Sequence, residues 1–157
     1  MDLTLEWYEP FDLKDGSRQN LIYSLDDSDL QYLPEAPGVY VFARQHGAVT
    51  APLYIGRAEN LAARIMQQLN NVRLMNGLRA AQSGYRMLLV GEFQARQGQQ
   101  VDRALALIES ALIRYALAEG YELLNLKGTK TRVHTIASAG NRVARSWLRR
   151  NIQVDGT

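Results

Sequence analysis

The sequence predicts an α/β domain: a small central sheet of about three largely antiparallel strands, flanked by helices. Three observations predict it. Two β-branched and aromatic runs, Val39–Ala43 and Leu53–Ile55, are separated by a polar stretch that contains Gly47, which is the pattern of a hairpin. A longer apolar run, Tyr85–Phe93, supplies a third strand. Stretches of helical period lie between and after them, and the order strand, strand, helix, strand, helix fits a sheet with helices packed on it.

Taken in order, residues 1–24 mix aromatic and charged positions. Trp7, Tyr8, Phe11, Leu21, Ile22 and Tyr23 are candidates to pack on the core as short strands. Leu25-Asp26-Asp27-Ser28-Asp29-Leu30 has helix-start chemistry, because Asp and Ser side chains can cap free amides. A short helix to Leu33 follows, stopped by Pro34. Val39–Ala43 is the first core strand, with Tyr40 and Phe42 on one side because successive side chains alternate faces. Gln45–Ala51 is expected as a loop. Leu53–Ile55 is the second strand, ended by Gly56.

Glu59 to about Leu69 has helical period, with Leu61, Ile65 and Leu69 on one stripe, and the pattern can be extended through Leu74. Gly77 and Gly84 punctuate the next stretch. After the Tyr85–Phe93 strand and a polar turn, Val101 to about Glu119 is the clearest helix. Leu105, Ile108, Leu112 and Tyr115 lie along one side of it, and Gly120 is placed to stop it. A last helix is expected over Val143–Asn151, anchored by Trp147 and Leu148. The organisation expected is an acidic leader packed on the domain (1–32), the main domain (33–126) and a basic extension (127–157).

Composition excludes several chemistries. The 157 residues suffice for one domain with its own core. The absence of cysteine excludes disulfides, thiolate zinc sites and a cysteine nucleophile. His46 and His134 have no metal-ligand spacing. No apolar run approaches the roughly 20 residues of a membrane helix, and the acidic opening has no secretory pattern, so the cytoplasm is the expected compartment.

The net charge of +2 conceals an asymmetry. Residues 1–36 carry nine acids against Lys14 and Arg18, a balance of −7, and the remainder carries +9. A basic, arginine-rich body suits a polyanion, because phosphate contacts supply most of the non-specific affinity for nucleic acid. A solvated basic surface would give the same count.

Two triplets sharpen this. Gly38-Val39-Tyr40 follows Leu33-Pro34-Glu35-Ala36-Pro37, and Tyr54-Ile55-Gly56 precedes Arg57 and, eight residues after Gly56, Arg64. Glu109 then lies on the long helix, with Asn125 beyond it. Together these residues resemble the GIY-YIG nuclease superfamily, and most nearly the amino-terminal nuclease domain of the bacterial repair excinuclease. The resemblance spans roughly residues 33–126. It implies a GIY-YIG-type sheet, a phosphodiesterase active site of Tyr40, Tyr54, Arg64, Glu109 and Asn125, motif glycines at Gly38 and Gly56, and a single Mg²⁺ (or Mn²⁺) on Glu109.

Residue chemistry bears on each role. Phosphodiester hydrolysis needs an activated water and a sink for transition-state charge. A tyrosine can accept a proton if cations lower its pKa, and Arg57 and Arg64 are the candidates. Tyr40 and Tyr54 sit on adjacent strands, and either could be the base. Packed in the core with satisfied hydroxyls, they would be structural instead.

Glu109 has apolar helix neighbours in Leu105, Leu112 and Ile113, so its carboxylate needs a cation, either the metal or an arginine such as Arg64 or Arg114. The resemblance gives Asn125 the task of positioning the tyrosine or loops; a turn asparagine is the alternative. Where the family typically places tyrosine or histidine, one turn after the helix arginine, this chain has Gln68, which cannot shuttle a proton.

Arg57, Lys127, Lys130, Arg132, Arg142 and Arg145 are the further expected phosphate contacts, the last five in an acid-free stretch over residues 127–150. The expected function is a Mg²⁺-dependent endonuclease acting on DNA. A stand-alone restriction, defence, mobile-element or branched-DNA enzyme fits a chain of this length. The alternatives are a catalytically degenerate nucleic-acid-binding module and a nuclease acting on RNA. A homodimer is an assembly to consider.

Overall fold

The computed structural model describes residues 2–16, 21–126, 133–137 and 151–155. Its strands are β1 (Leu5–Trp7), β2 (Phe11–Asp12), β3 (Lys14–Asp15), β4 (Tyr23–Ser24), β5 (Gly38–His46), β6 (Val49–Ala58), β7 (Tyr85–Phe93), β8 (Val133–Ala137) and β9 (Asn151–Asp155). Its α-helices are α1 (Asp27–Tyr32), α2 (Leu61–Leu69), α3 (Val72–Ala80) and α4 (Val101–Ala118), and a 3-10 turn covers Leu124–Leu126. The chain divides into two units, residues 1–125 and 126–157.

In the first unit every sheet pairing among the described residues is antiparallel. The order is β1-β7-β5-β6, with β2 also on β7. The three long strands are the expected ones. The sheet is larger than the three strands expected because two short strands of the acidic leader add to the β7 edge. Trp7, Phe11 and Tyr23, expected in short strands, lie in β1, β2 and β4, and segments of two or three residues carry too little alternation to fix their pairing from sequence. The leader also supplies Phe11, Leu13, Tyr23 and Leu25 to the core. It is thus part of the same unit as the sheet.

β5 is buried along its first six residues because both faces are covered. Tyr40 and Phe42 face one side, packing with Leu61, Ile65 and Leu69 of α2 and Met75 and Leu78 of α3. Val41 and Ala43 face the other side with Ile55, Met87 and Ala116, and Val39 joins Leu105 and Ile108 there. The alternation of a strand therefore becomes a partition of the unit into an α2–α3 side and an α4 side.

Four expectations change. Gln45–Ala51 is not a loop: β5 and β6 continue to a two-residue turn at Gly47–Ala48, with Gly47 at φ 61°. The polar tip of this hairpin extends past the core, so its composition reads as loop. The helix after β6 does not run on to Leu74. It ends at Asn70, and Asn71 caps α3 by accepting the Leu74 amide. Gly77 lies inside α3, where a side chain would press on Leu124. At α1, Asp26 is the N-cap without a side-chain capping bond.

The second unit contains the antiparallel strand pair β8–β9. Asn151, expected as the end of a helix, begins β9, and residues 143–150 lie outside the described residues. So do Lys127, Lys130, Arg132, Arg142 and Arg145. Among the described residues no helix is long and apolar enough to cross a membrane.

Candidate active site

β6 is an edge of the sheet, and its C-terminal end carries the candidate site. Across the β5–β6 ladder Tyr40 stands opposite Gly56, and Phe42 opposite Tyr54. Opposite residues share a face, so both tyrosines lie on the α2–α3 side. Their rings stack at 6.3 Å between centroids with 27° between planes, and Phe42 meets Tyr40 edge-on at 5.8 Å. The Tyr40 ring lies directly over Gly56. A Cβ there would fall inside the van der Waals envelope of Tyr40 Cζ and Oη. Gly56 therefore does not end the strand, which continues to Ala58; it makes room for Tyr40.

Gly38 has a comparable cause. A Cβ would collide with the Gly91 carbonyl of β7 and with Leu61 Cδ1 of α2. The Pro34–Gly38 segment is drawn against α2 because it satisfies that helix's free amides. Leu61 N donates to Ala36 O and Ala62 N to Pro34 O, both at 3.0 Å. Asn60 Oδ1 accepts from Ala63 N, completing the cap. These amides are satisfied within the protein.

Tyr40 is 1% exposed. Burial pushes its hydroxyl above the usual value near 10. Gln68 pulls the other way with a hydrogen bond, Tyr54 adds to the rise, and Arg64 lowers it through hydrogen bonding and charge. Gln68 Nε2 donates to Tyr40 Oη at 2.7 Å, and both groups are buried. Tyr54 is only partly buried. Arg64 is exposed on α2 and donates to Gln67 Oε1 at 3.3 Å.

The remaining candidates lie on the other face. Arg57 stands opposite Val39 and therefore points to the α4 side, where Nη1 meets Glu109 Oε1 at 3.2 Å. The Glu109 side chain is 25% exposed. The cation beside Glu109 is thus neither Arg64 nor Arg114 but Arg57, from a strand 52 residues away. The two halves meet around the end of β6. A cleft of about 380 Å³ there is lined by Arg57 and Glu59 from the strand end, by Arg64 and Gln67 from α2, and by Asp102 and Leu105 from α4. Glu109 is one helical turn beyond Leu105.

Asn125 binds the backbone of β6 from outside. Ile55 N donates to Asn125 Oδ1 at 3.0 Å, and Asn125 Nδ2 donates to Ile55 O at 2.6 Å. Ile55 lies between Tyr54 and Gly56, so this amide sets the strand that carries both. Asn125 lies in the 3-10 turn, and its side chain is engaged by the β6 backbone.

Sequence reasoning missed Gln68 as a partner of Tyr40, although a signal existed. Position 68 falls on the same apolar stripe as Leu61 and Ile65, and a polar residue on a buried stripe needs a polar partner. Comparison with protein-family models, with curated proteins and with solved structures returned no match.

Proposed function

We propose that this chain is a divalent-metal-dependent endonuclease that hydrolyses phosphodiester bonds of DNA in the cleft at the end of β6. The observation that carries the reading is the convergence there of Arg57 and Arg64, with Glu109 paired to Arg57 one turn beyond Leu105 on α4.

The donor set fits a metal ion held loosely. Among the described residues no three His, Asp or Glu side chains cluster as a cage. Glu109 offers one part-exposed carboxylate whose Oε1 meets Arg57. Mg²⁺ suits such a site because it keeps most of its waters and takes one or two carboxylates plus phosphate oxygens. Charge favours the same conclusion. Arg57 and Arg64 face Glu59, Asp102 and Glu109, so the ionised side chains sum to −1 before any phosphate arrives. Bound by Glu109, with Asp102 two turns away on the same helix, the ion would supply Lewis acidity and balance this charge.

The protein's own groups divide the remaining work. Arg64 is exposed and can meet a phosphate oxygen with two parallel N–H donors. Arg57 is held by Glu109 at the strand end and supplies a second fixed positive charge. Tyr54 is the less buried residue of the stacked pair, which favours it over Tyr40 for orienting water. Tyr40 backs it from the core.

Gln68 favours a second reading, a nucleic-acid-binding module without turnover, because an amide in this place cannot move a proton. The experiment is cutting of supercoiled plasmid in Mg²⁺ by the wild type, Glu109→Gln and Arg64→Ala. The nuclease reading expects each variant to lose about 100-fold or more in rate. DNA retention without cutting selects the binding module, and cutting confined to an RNA substrate selects a ribonuclease.

A further inference from the structure

An amide can offer another group either its oxygen or its NH₂, and the choice at Gln68 decides whether Tyr40 accepts or donates a hydrogen bond. At this site the direction is fixed from outside the pair. Asn71 caps α3, with its Oδ1 3.1 Å from Leu74 N. A backbone N–H can only donate, so the Asn71 oxygen must face Leu74 and its NH₂ must face away. That NH₂ lies 3.1 Å from Gln68 Oε1. The Gln68 oxygen is therefore engaged, and its own NH₂ is left pointing at Tyr40 Oη. Three links, from Leu74 N to Asn71, to Gln68, to Tyr40, share one polarity.

We propose that Gln68, oriented by Asn71, is a positioning residue that holds the Tyr40 oxygen as an acceptor and leaves the Tyr40 proton for a group outside the relay. The ring beside it on that face is Tyr54, 6.3 Å away between centroids and inclined by 27°. Gln68 thus does by orientation what a proton-shuttling residue would do by exchange. It fixes which way the Tyr40 hydroxyl is polarised. The hydrogen-bond direction stands independently of the nuclease reading; its catalytic consequence rests on that reading.

The test uses Asn71→Asp in the full chain. Aspartate caps a helix as well as asparagine does, so the fold is retained, but its carboxylate has no donor for Gln68. The Gln68 amide then turns its NH₂ to the new carboxylate and its oxygen to Tyr40, and the tyrosine bond reverses. Nuclear Overhauser cross-peaks between the Gln68 NH₂ and Tyr40 ring protons are expected in the wild type and lost in Asn71→Asp. Tyr40 ionisation, assigned against Tyr40→Phe, should move upward by about one pH unit, because the amide no longer donates to the phenolate. Gln68→Met, which keeps length without a donor, should give the same upward shift.

Cross-peaks and ionisation in Asn71→Asp identical to the wild type overturn the relay, whatever the enzyme's activity. Absence of cutting by the wild type, with the relay signature intact, overturns the nuclease reading alone. Where cutting is present, the relay predicts a fall of about 10-fold in kcat with KM unchanged in Asn71→Asp.

Discussion

Gly56→Ala is the smallest change that reaches the tyrosine pair. The added methyl would occupy space held by Tyr40 Cζ and Oη and would come 2.9 Å from Cε1. The backbone cannot yield easily, because Gly56 pairs with Tyr40 on one side and its neighbour Ile55 is held by Asn125 on the other. The ring must move. Overpacking a filled core costs about 1–3 kcal/mol. Moving the ring also breaks the buried Gln68–Tyr40 bond, which adds about 1–3 kcal/mol if the amide is left unpaired. Alanine recovers roughly 0.5–1 kcal/mol through its smaller loss of backbone freedom. The net expectation is a loss of about 1–5 kcal/mol, a large share of the roughly 5–15 kcal/mol typical of a domain.

Urea unfolding followed by circular dichroism measures this, and a double-mutant cycle with Tyr40→Leu tests the cause. Leucine has no ring to strike, so Gly56→Ala should cost at least about 1 kcal/mol less in that background. An equal cost in both backgrounds would show that Gly56 is needed for some reason other than Tyr40, and would refute the steric argument.

Two further predictions concern single side chains. Arg86 is 9% exposed and gives its guanidinium entirely to carbonyls at and beyond the end of α3: Nε to Leu78 O, Nη1 to Gly84 O, and Nη2 to Ala81 O and Gln82 O, at 2.8–3.0 Å. Lysine cannot reproduce this fork, so Arg86→Lys and Arg86→Met should each lose about 3 kcal/mol in thermal or urea unfolding; a loss below about 0.5 kcal/mol would contradict the account. Tyr40 is held above its usual ionisation range by burial, so the folded chain keeps that proton more tightly than the unfolded one. Its contribution to stability is complete below pH ~10 and is lost as pH rises through the folded value. Tyr40→Phe should therefore flatten part of the fall in stability above about pH 10, and an unchanged slope would exclude Tyr40 as its source.

The long elements were legible because each carries a full period of evidence. Tyr85–Phe93 is bounded in the structure where the apolar run is bounded in the sequence, and α4 stops at the glycine expected to stop it, with Gly120 at φ 88°. The break between α2 and α3 was hidden because Val72, three residues after Leu69 and seven after Ile65, continues the apolar stripe. Only Asn71, which resumes the chain as a new cap, marks it. The motif residues were legible as types but not as contacts. The sequence marks Arg57 as a phosphate ligand and Glu109 as a carboxylate needing a cation, yet nothing local in either segment pairs two residues 52 positions apart. Pairing of that kind follows from which face of β6 each residue takes. That parity depends on the register with β5, which shifts between Phe42 and Ala43.

The edge position of β6 connects these details. An edge strand exposes unpaired amides and carbonyls and invites another chain to add to it. β6 limits this with Pro52, which has no amide to offer, and with the Asn125 amide, which bonds Ile55 N and O as a neighbouring strand would. Beyond Ile55 the strand continues to Gly56, Arg57 and Ala58, and no strand among the described residues pairs with its outer side. A central strand could not carry this arrangement, because a strand on its other side would fill the space where Arg57 and Arg64 line the cleft. The substitution of one asparagine for one rung of a missing strand keeps the edge rigid at Tyr54 and Gly56 while leaving the adjacent end of β6 open. This is the geometric reason that side chains from opposite faces of the sheet, Arg64 on one and Arg57 on the other, can line a single cleft.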